Sequence, residues 1–145
     1  MKPYLLDTNV LIALAWPNHV HYRESQAWFE NKGAAGFRTC PITQTGFVRI
    51  SSNLAFTRLA VTPGEALQLL DRITRLPGHD FWADDVSLAE AFAGMKPILT
   101  GHRQVTDAYL LRLAARHGGV LATLDRGVAA LARDGTASLE IITIP

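Results

Sequence analysis

The chain has 145 residues, of which 48% are hydrophobic and 19% are charged, and its formal net charge is +1. These values are typical of one globular domain with a substantial core, and they exclude a disordered chain. The small net charge also excludes a strongly cationic surface, so any contact with nucleic acid requires a local basic patch. We therefore predict a single domain over residues 1–145.

The sequence also restricts the compartment in which the protein is expected to work. The apolar run from Val10 to Trp16 is too short to span a bilayer, and the N-terminus does not have the pattern of a secretory signal. Cys40 is the only cysteine, so no internal disulfide can form, and we expect it in the core. These features predict a cytoplasmic protein with no membrane partner.

Strand-like apolar runs alternate with helical patterns along the chain. The predicted strands are Tyr4–Asp7, Phe37–Cys40, Phe81–Ala83, Val120–Leu124 and Leu139–Ile144. The predicted helices reach Trp16 after the first strand, cover Val20–Lys32, start at Pro41 and at Pro63, and then cover Val86–Ala93, Gln104–His117 and Gly127–Arg133. Such alternation predicts a three-layer α/β fold, with a mainly parallel central sheet flanked by helices.

The helix at Pro63 has the clearest predicted start. Thr62 precedes this proline, and Glu65 follows Thr62 by three residues, which is the spacing of a capping box. We therefore expect Thr62 to be the N-cap residue of that helix.

Three aspartates occupy positions where a solvated acid is not expected. Asp7 ends the first predicted strand, and Asp125 directly follows the fourth. Asp107 lies in the helix before that strand, on the same face as Leu111 and Ala114. Because ligands bind beyond the carboxyl ends of parallel strands, we expect the three carboxylates to converge at that edge of the sheet.

A cluster of carboxylates with few bases nearby requires a cation. Oxygen ligands of this kind suit Mg²⁺ or Mn²⁺, whereas zinc prefers histidine or cysteine. A divalent ion held in this way can activate a bound water and stabilise charge during displacement at phosphorus. The three acids therefore favour metal-assisted hydrolysis of a phosphodiester.

Each acid also has a simpler interpretation. Asp7 could cap the following helix, Asp125 could be a turn residue, and Asp107 could be the N-cap of its own helix. Only the combination of the three favours a metal site.

Four segments occur in a characteristic order: LLDTNVLIAL, PITQTGFVRI, TDAYLLRLA and LATLDRG. Together they resemble the PIN-domain ribonucleases, and more closely the VapC toxins of bacterial toxin–antitoxin pairs, over essentially the whole chain. The resemblance implies an endoribonuclease that cuts RNA with Mg²⁺ or Mn²⁺. It also implies a small VapB-like antitoxin that occludes the site, and a homodimer.

Matched position by position, Asp7, Asp107 and Asp125 fall on the metal-binding acids of this family. Asn9 and Thr123 fall on polar positions that line the same pocket. These five residues are the site that the resemblance implies.

Gln44 stands where the family has its usual second acid, so it is carried over as a catalytic candidate. An amide offers a carbonyl oxygen but no charge. We therefore hypothesise one well-populated metal site and a second site that depends on substrate phosphate, and we expect Gln44→Glu to tighten metal binding. Asp84, Asp85 or Glu24 could instead supply the missing charge.

Several other residues have side chains that could contribute to function. Arg49 and Arg126 lie close in sequence to the proposed pocket and could bind phosphate, although solvated or ion-paired arginines fit equally well. His19 and His21 are expected at the surface rather than on a metal. We expect the tryptophans to pack in the core or at an interface rather than to stack on bases: Trp16, Trp28 and Trp82.

Two rival functions stay open at this point. Gln44 could mark a catalytically weak PIN-fold protein that only binds RNA or its antitoxin. Alternatively, Asp7 could be the nucleophile of a phosphohydrolase that forms an aspartyl-phosphate. Asn9 makes the second rival weaker, because an acid/base carboxylate would be needed there. The sequence does not indicate which RNA is cut.

Overall fold

The computed structural model describes residues 1–93, 99–132 and 138–143. Its strands are β1 (Tyr4–Leu6), β2 (Phe37–Thr39), β3 (His79–Phe81), β4 (Val120–Thr123) and β5 (Leu139–Ile141). They form one five-stranded sheet in the order β3-β2-β1-β4-β5, and every pairing between neighbours is parallel. The central strand is therefore β1, and β2 and β4 lie on either side of it.

Helices connect these strands. They are α1 (Thr8–Ala15), α2 (Tyr22–Asn31), α3 (Pro41–Ser51), α4 (Pro63–Thr74), α5 (Leu88–Ala91) and α6 (Val105–Arg116). Short 3-10 segments cover Gly33–Ala35, His102–Gln104 and Arg126–Leu131. No helix in the described part of the chain is both long and apolar enough to cross a membrane.

The sheet separates two hydrophobic layers. On one side, here called the α6 face, Leu5 and Leu121 pack with residues of α6. On the other side, here called the α1–α3 face, Leu6 and Phe37 pack with α1 and with Phe47 of α3. Successive strand residues point to opposite sides of a sheet, so Leu5 and Leu6 belong to different layers. The predicted three-layer α/β fold is confirmed.

The third strand was predicted in the wrong place. It is His79–Phe81 rather than Phe81–Ala83, because its pairing with β2 begins at His79. This strand lies at an edge of the sheet and is mostly exposed, so polar residues are tolerated in it. The apolar pattern used for the prediction therefore missed its first two residues.

Other boundaries differ less from the prediction. The segment predicted as a helix from Gly127 is the 3-10 segment, and the predicted ends at Arg133 and Ile144 lie outside the described residues. The helix predicted from Gln104 begins one residue later. The Gln104 side chain instead accepts hydrogen bonds from the backbone N–H groups of Thr100 and Gly101, at 2.7 and 3.2 Å, and holds the preceding turn.

The tryptophans and the cysteine pack as expected. Trp16, Trp28 and Trp82 each make a hydrogen bond or a ring contact within the chain. Cys40 is fully buried in the core of the α6 face.

The capping box at the start of α4 is confirmed and gives a test of the fold. Thr62 Oγ1 accepts a hydrogen bond from the Glu65 N–H at 3.1 Å, and Glu65 Oε1 accepts one from the Thr62 N–H at 3.3 Å. We expect Thr62→Ala to lower the free energy of unfolding by about 1 kcal/mol, because the Glu65 N–H loses its acceptor. Denaturant unfolding measures this loss. Thr45→Ala, at an exposed position inside α3, is the control, and equal losses in the two variants would contradict the cap.

Candidate active site

Asp7 lies at the junction of β1 and α1 and is only 6% exposed. Its Oδ1 accepts a hydrogen bond from the Thr8 N–H at 2.7 Å, so the capping interpretation is right for this oxygen. Its Oδ2 accepts a hydrogen bond from the Thr123 hydroxyl at 2.7 Å. The buried carboxylate is thus paired with neutral donors, which reduce the cost of its burial without neutralising its charge.

Thr123 ends β4, is fully buried, and connects Asp7 to the rest of the site. While its hydroxyl donates to Asp7, its oxygen accepts from Asn9 Nδ2 at 3.3 Å and from the Asp125 N–H at 3.1 Å. Asn9 Oδ1 accepts in turn from the Leu124 N–H at 3.3 Å. The structure therefore brings Asn9 and Thr123 together with Asp7 at the carboxyl ends of β1 and β4.

Asp125 is exposed and is the N-cap of the 3-10 segment that follows β4. Its Oδ1 accepts a hydrogen bond from the Gly127 N–H at 2.8 Å, so the turn interpretation is right for this oxygen. Its negative charge also raises the pKa of both Asp7 and Asp107. Asp125 is therefore close enough to the other two aspartates to interact with them electrostatically.

Asp107 lies in the first turn of α6 and is half-buried. It is not the N-cap, because the helix begins at Val105. Burial, and then the charges of Asp7 and Asp125, together raise the pKa of Asp107 to about 6. Two aspartates from other elements thus act on this one carboxyl group.

The pKa of Asp7 is raised as well. Burial is the largest cause, and the charge of Asp125 adds to it. The hydrogen bonds from Thr123 and Thr8 act in the opposite direction, because they favour the ionised form. Both buried or half-buried acids therefore retain their protons to higher pH than an ordinary aspartate.

The chemistry of the donor set fits a hard divalent cation, although the side chains do not form a closed shell. Within residues 1–93, 99–132 and 138–143, no group of three or more His, Cys, Asp or Glu side chains is placed to hold a metal ion. Burial and neighbouring carboxylates raise the pKa of Asp7 and of Asp107, and a divalent cation would stabilise the ionised form of both groups. Oxygen ligands of this kind suit Mg²⁺ or Mn²⁺.

Gln44 is directed to a different partner. Its Nε2 donates to Thr39 Oγ1 at 2.9 Å, and Thr39 Oγ1 is also hydrogen-bonded to His79 Nε2 at 2.7 Å. Thr39 lies two residues after Phe37 on β2, and therefore on the α1–α3 face. Gln44 points into the protein as expected, and the hydrogen bond of its amide goes to Thr39, which also contacts His79.

Sequence reasoning missed Thr39 and His79. Their contact joins residues 40 positions apart, so no local pattern indicates it. The one available signal was a polar residue at the end of a predicted apolar strand.

Of the three alternative acids, Asp84 is the one beside the start of α6. It lines a cleft with Thr106 there. Asp85 instead forms an ion pair with Arg116, at 3.2 Å, at the opposite end of the helix. Glu24 lies on α2 beside β5. The structure therefore leaves Asp84 as a candidate and removes the other two from the site.

The two candidate arginines occupy different surfaces. Arg126 is exposed and directly follows Asp125, whereas Arg49 lines a cleft between α3 and α4. His19 and His21 are adjacent, and His19 Nδ1 accepts a hydrogen bond from the His21 N–H at 3.0 Å. No metal-binding group of acids, histidines and cysteines surrounds them in the described ranges.

The raised pKa of Asp107 predicts how Asp107→Asn affects stability. Between pH of about 4 and about 6 the folded protein keeps a proton on Asp107 that the unfolded chain releases, so ionisation destabilises the fold as the pH rises. The free energy of unfolding of Asp107→Asn, relative to wild type, should therefore increase over this window. Urea unfolding at several pH values measures it. Asp71→Asn, at an exposed site on α4, is the control, and an advantage that does not grow with pH would contradict the prediction.

Solved structures from several organisms share this fold. FitAcB from Neisseria gonorrhoeae superimposes with a TM-score of 0.63 at 19% identity, over 97% of this chain and 96% of that one. VapBC2 from Rickettsia felis, bound to a DNA fragment from their promoter, gives a TM-score of 0.62 at 12% identity, over 97% and 98% of the two chains. These similarities show the fold.

Closer relatives are found by sequence in Mycobacterium tuberculosis. Ribonuclease VapC39 is 50% identical over 93% of this chain and 95% of its own length. Ribonuclease VapC38 is 43% identical over 97% and 98%. Residues 4–134 also match the family model of the PIN domain. The chain therefore belongs to the PIN domain family and, within it, to the VapC proteins.

Proposed function

We propose that this protein is a metal-dependent endoribonuclease and the toxin of a VapBC-type toxin–antitoxin pair. The observation that carries the proposal is the placement of Asp7, Asp107 and Asp125 at the carboxyl edge of a parallel sheet, where burial and then the charges of neighbouring aspartates raise the pKa of Asp7 and Asp107. The relatives named Ribonuclease VapC39 and Ribonuclease VapC38 support RNA as the substrate.

In this proposal the three aspartates hold Mg²⁺, for which Mn²⁺ can substitute. A divalent cation bound there supplies an activated water and stabilises negative charge on the phosphate. The hydrogen bonds from Thr8 and Thr123 orient the Asp7 carboxylate and favour its ionised form. Arg126, exposed beside Asp125, is proposed to contact a phosphate oxygen, and Arg49 is a second candidate for that role.

The proposed partners follow from the same family membership. We infer a small VapB-like antitoxin, a homodimer of this chain, and action in the cytoplasm, where RNA is available. We also propose that residues 1–145 form a single domain, as the sequence predicts.

Substitution of the aspartates tests the nuclease. We expect Asp7→Asn, Asp107→Asn and Asp125→Asn each to reduce RNA cleavage by at least about 100-fold, because each removes a charged ligand. EDTA should abolish cleavage by the wild type, and excess Mg²⁺ should restore it. Gel assays on purified RNA measure both effects, with Asp71→Asn as the matched control.

Other outcomes of this assay have clear meanings. Cleavage that survives both EDTA and the three substitutions would refute the aspartate site. A wild-type protein that binds RNA but does not cut it would favour the catalytically weak rival, which Gln44 suggests. A phosphorylated Asp7, trapped and identified by mass spectrometry, would favour the phosphohydrolase.

Gln44→Glu tests whether residue 44 can join the metal site. A glutamate cannot donate the hydrogen bond that the Gln44 amide gives to Thr39, and that bond contributes only about 1 kcal/mol. We therefore expect the new carboxylate to turn toward the aspartates and to tighten Mg²⁺ binding in a calorimetric titration. Thr45→Glu adds the same charge at an exposed neighbouring position. Identical titrations for Gln44→Glu and wild type would count against the idea.

A further inference from the structure

An open groove lies between α2 and β5, at an edge of the sheet. It has a volume of about 720 Å³. One wall is formed by β5 and the two residues that follow it, and the other wall carries Glu24, Trp28 and Lys32 of α2. Because α2 packs on the α1–α3 face, the groove is separate from the proposed metal site.

Only every second residue of β5 forms backbone hydrogen bonds with β4. The Ser138 C=O accepts from the Leu121 N–H, and the Ile142 N–H donates to the Thr123 C=O, each at 2.8 Å. In a pair of parallel strands, one residue bonds to the partner strand through both its N–H and its C=O. The residue directly opposite it on the partner strand directs its own N–H and C=O away from the first strand. Every second residue of β5 therefore directs its N–H and C=O outward.

The outward-facing residues are Leu139 and Ile141. They lie opposite Leu121 and Thr123 in the register of the two strands. Since β5 is the last strand of the sheet, their outward N–H and C=O groups have no strand partner within the described parts of the chain. Such a row of groups is a template for an added strand.

The charges in the groove indicate what an added strand should carry. Glu140 accepts hydrogen bonds from Trp28 Nε1 at 2.6 Å and from Lys32 Nζ at 3.0 Å, so its charge is compensated. Glu24 Oε2 is buried and has no hydrogen-bond partner in the described residues. A buried carboxylate oxygen without a partner is costly, and a cation would relieve that cost.

We propose that the groove between α2 and β5 binds an extended segment of another protein, which adds to β5 as a further strand. Backbone hydrogen bonds to Leu139 and Ile141 hold the segment, and an arginine or lysine of the segment pairs with Glu24. A second copy of this chain is a poorer occupant. In the same groove of a second copy the lining lysine, Lys32, is already paired with Glu140, so that groove supplies no cation for Glu24.

Peptide selection on the full-length protein tests the proposal independently of nuclease activity. A phage library of short random peptides is selected on the wild type, and the affinities of the selected peptides are measured. We expect them to share a basic residue and to bind Glu24→Gln at least about tenfold more weakly, because a charge-assisted hydrogen bond is lost. Glu30→Gln, exposed on the same helix, should bind them unchanged.

Amide hydrogen exchange on the wild type locates the contact without any substitution. Bound peptide should slow exchange at Leu139 and Ile141 and leave Glu140 and Ile142, which already face β4, unchanged. Ile141→Pro removes only an outward donor, so it should weaken the peptide while β5 stays paired. The proposal is overturned if selection enriches no peptide, if Glu24→Gln binds equally well, or if Leu139 and Ile141 gain no protection. If the free protein is a dimer and both amides are already protected in it, a second copy occupies the edge and the proposal is overturned.

Discussion

The hydrogen bond from the Thr123 hydroxyl to Asp7 joins two neighbouring strands at the edge where function is proposed. Burial alone would favour the neutral acid at Asp7, and the donors Thr123 and Thr8 oppose this effect. A hydroxyl has one proton, and Thr123 gives it to Asp7. The other groups around that oxygen, Asn9 Nδ2 and the Asp125 N–H, must therefore donate to it, as they do.

The two faces of the sheet divide the proposed functions. Asp107 reaches the aspartate group from α6, on the α6 face, whereas the groove beside α2 lies on the α1–α3 face. Alternation along the strands produces this division: Leu121 and Thr123 belong to one layer, and Ala122 between them belongs to the other. A segment bound at β5 and an RNA at the aspartates would therefore contact different surfaces.

Much of the fold followed from local patterns. β1 and β4 are buried strands, and buried parallel strands are continuous apolar runs, so the acids at their ends were conspicuous. β3 is an exposed edge strand that contains His79 and Asp80, and for that reason the apolar pattern misplaced it. The partner of Gln44 could not be predicted, because its contact with Thr39 exists only once α3 packs on the sheet. For the same reason, the sequence could not give the positions of the three carboxylates relative to one another.

The contacts of Thr39 have a direction. An amide nitrogen can only donate, so Gln44 donates to Thr39, whose hydroxyl oxygen is also hydrogen-bonded to His79 Nε2. With the amide in place, His79 Nε2 can either accept the hydroxyl proton or donate to the same oxygen, and burial lowers the pKa of His79 and so favours its neutral form. A carboxylate at position 44 could only accept, so the Thr39 hydroxyl would donate to it and His79 Nε2 would have to carry a hydrogen. An acid on α3 would thus fix which nitrogen of a histidine on β3 carries the hydrogen.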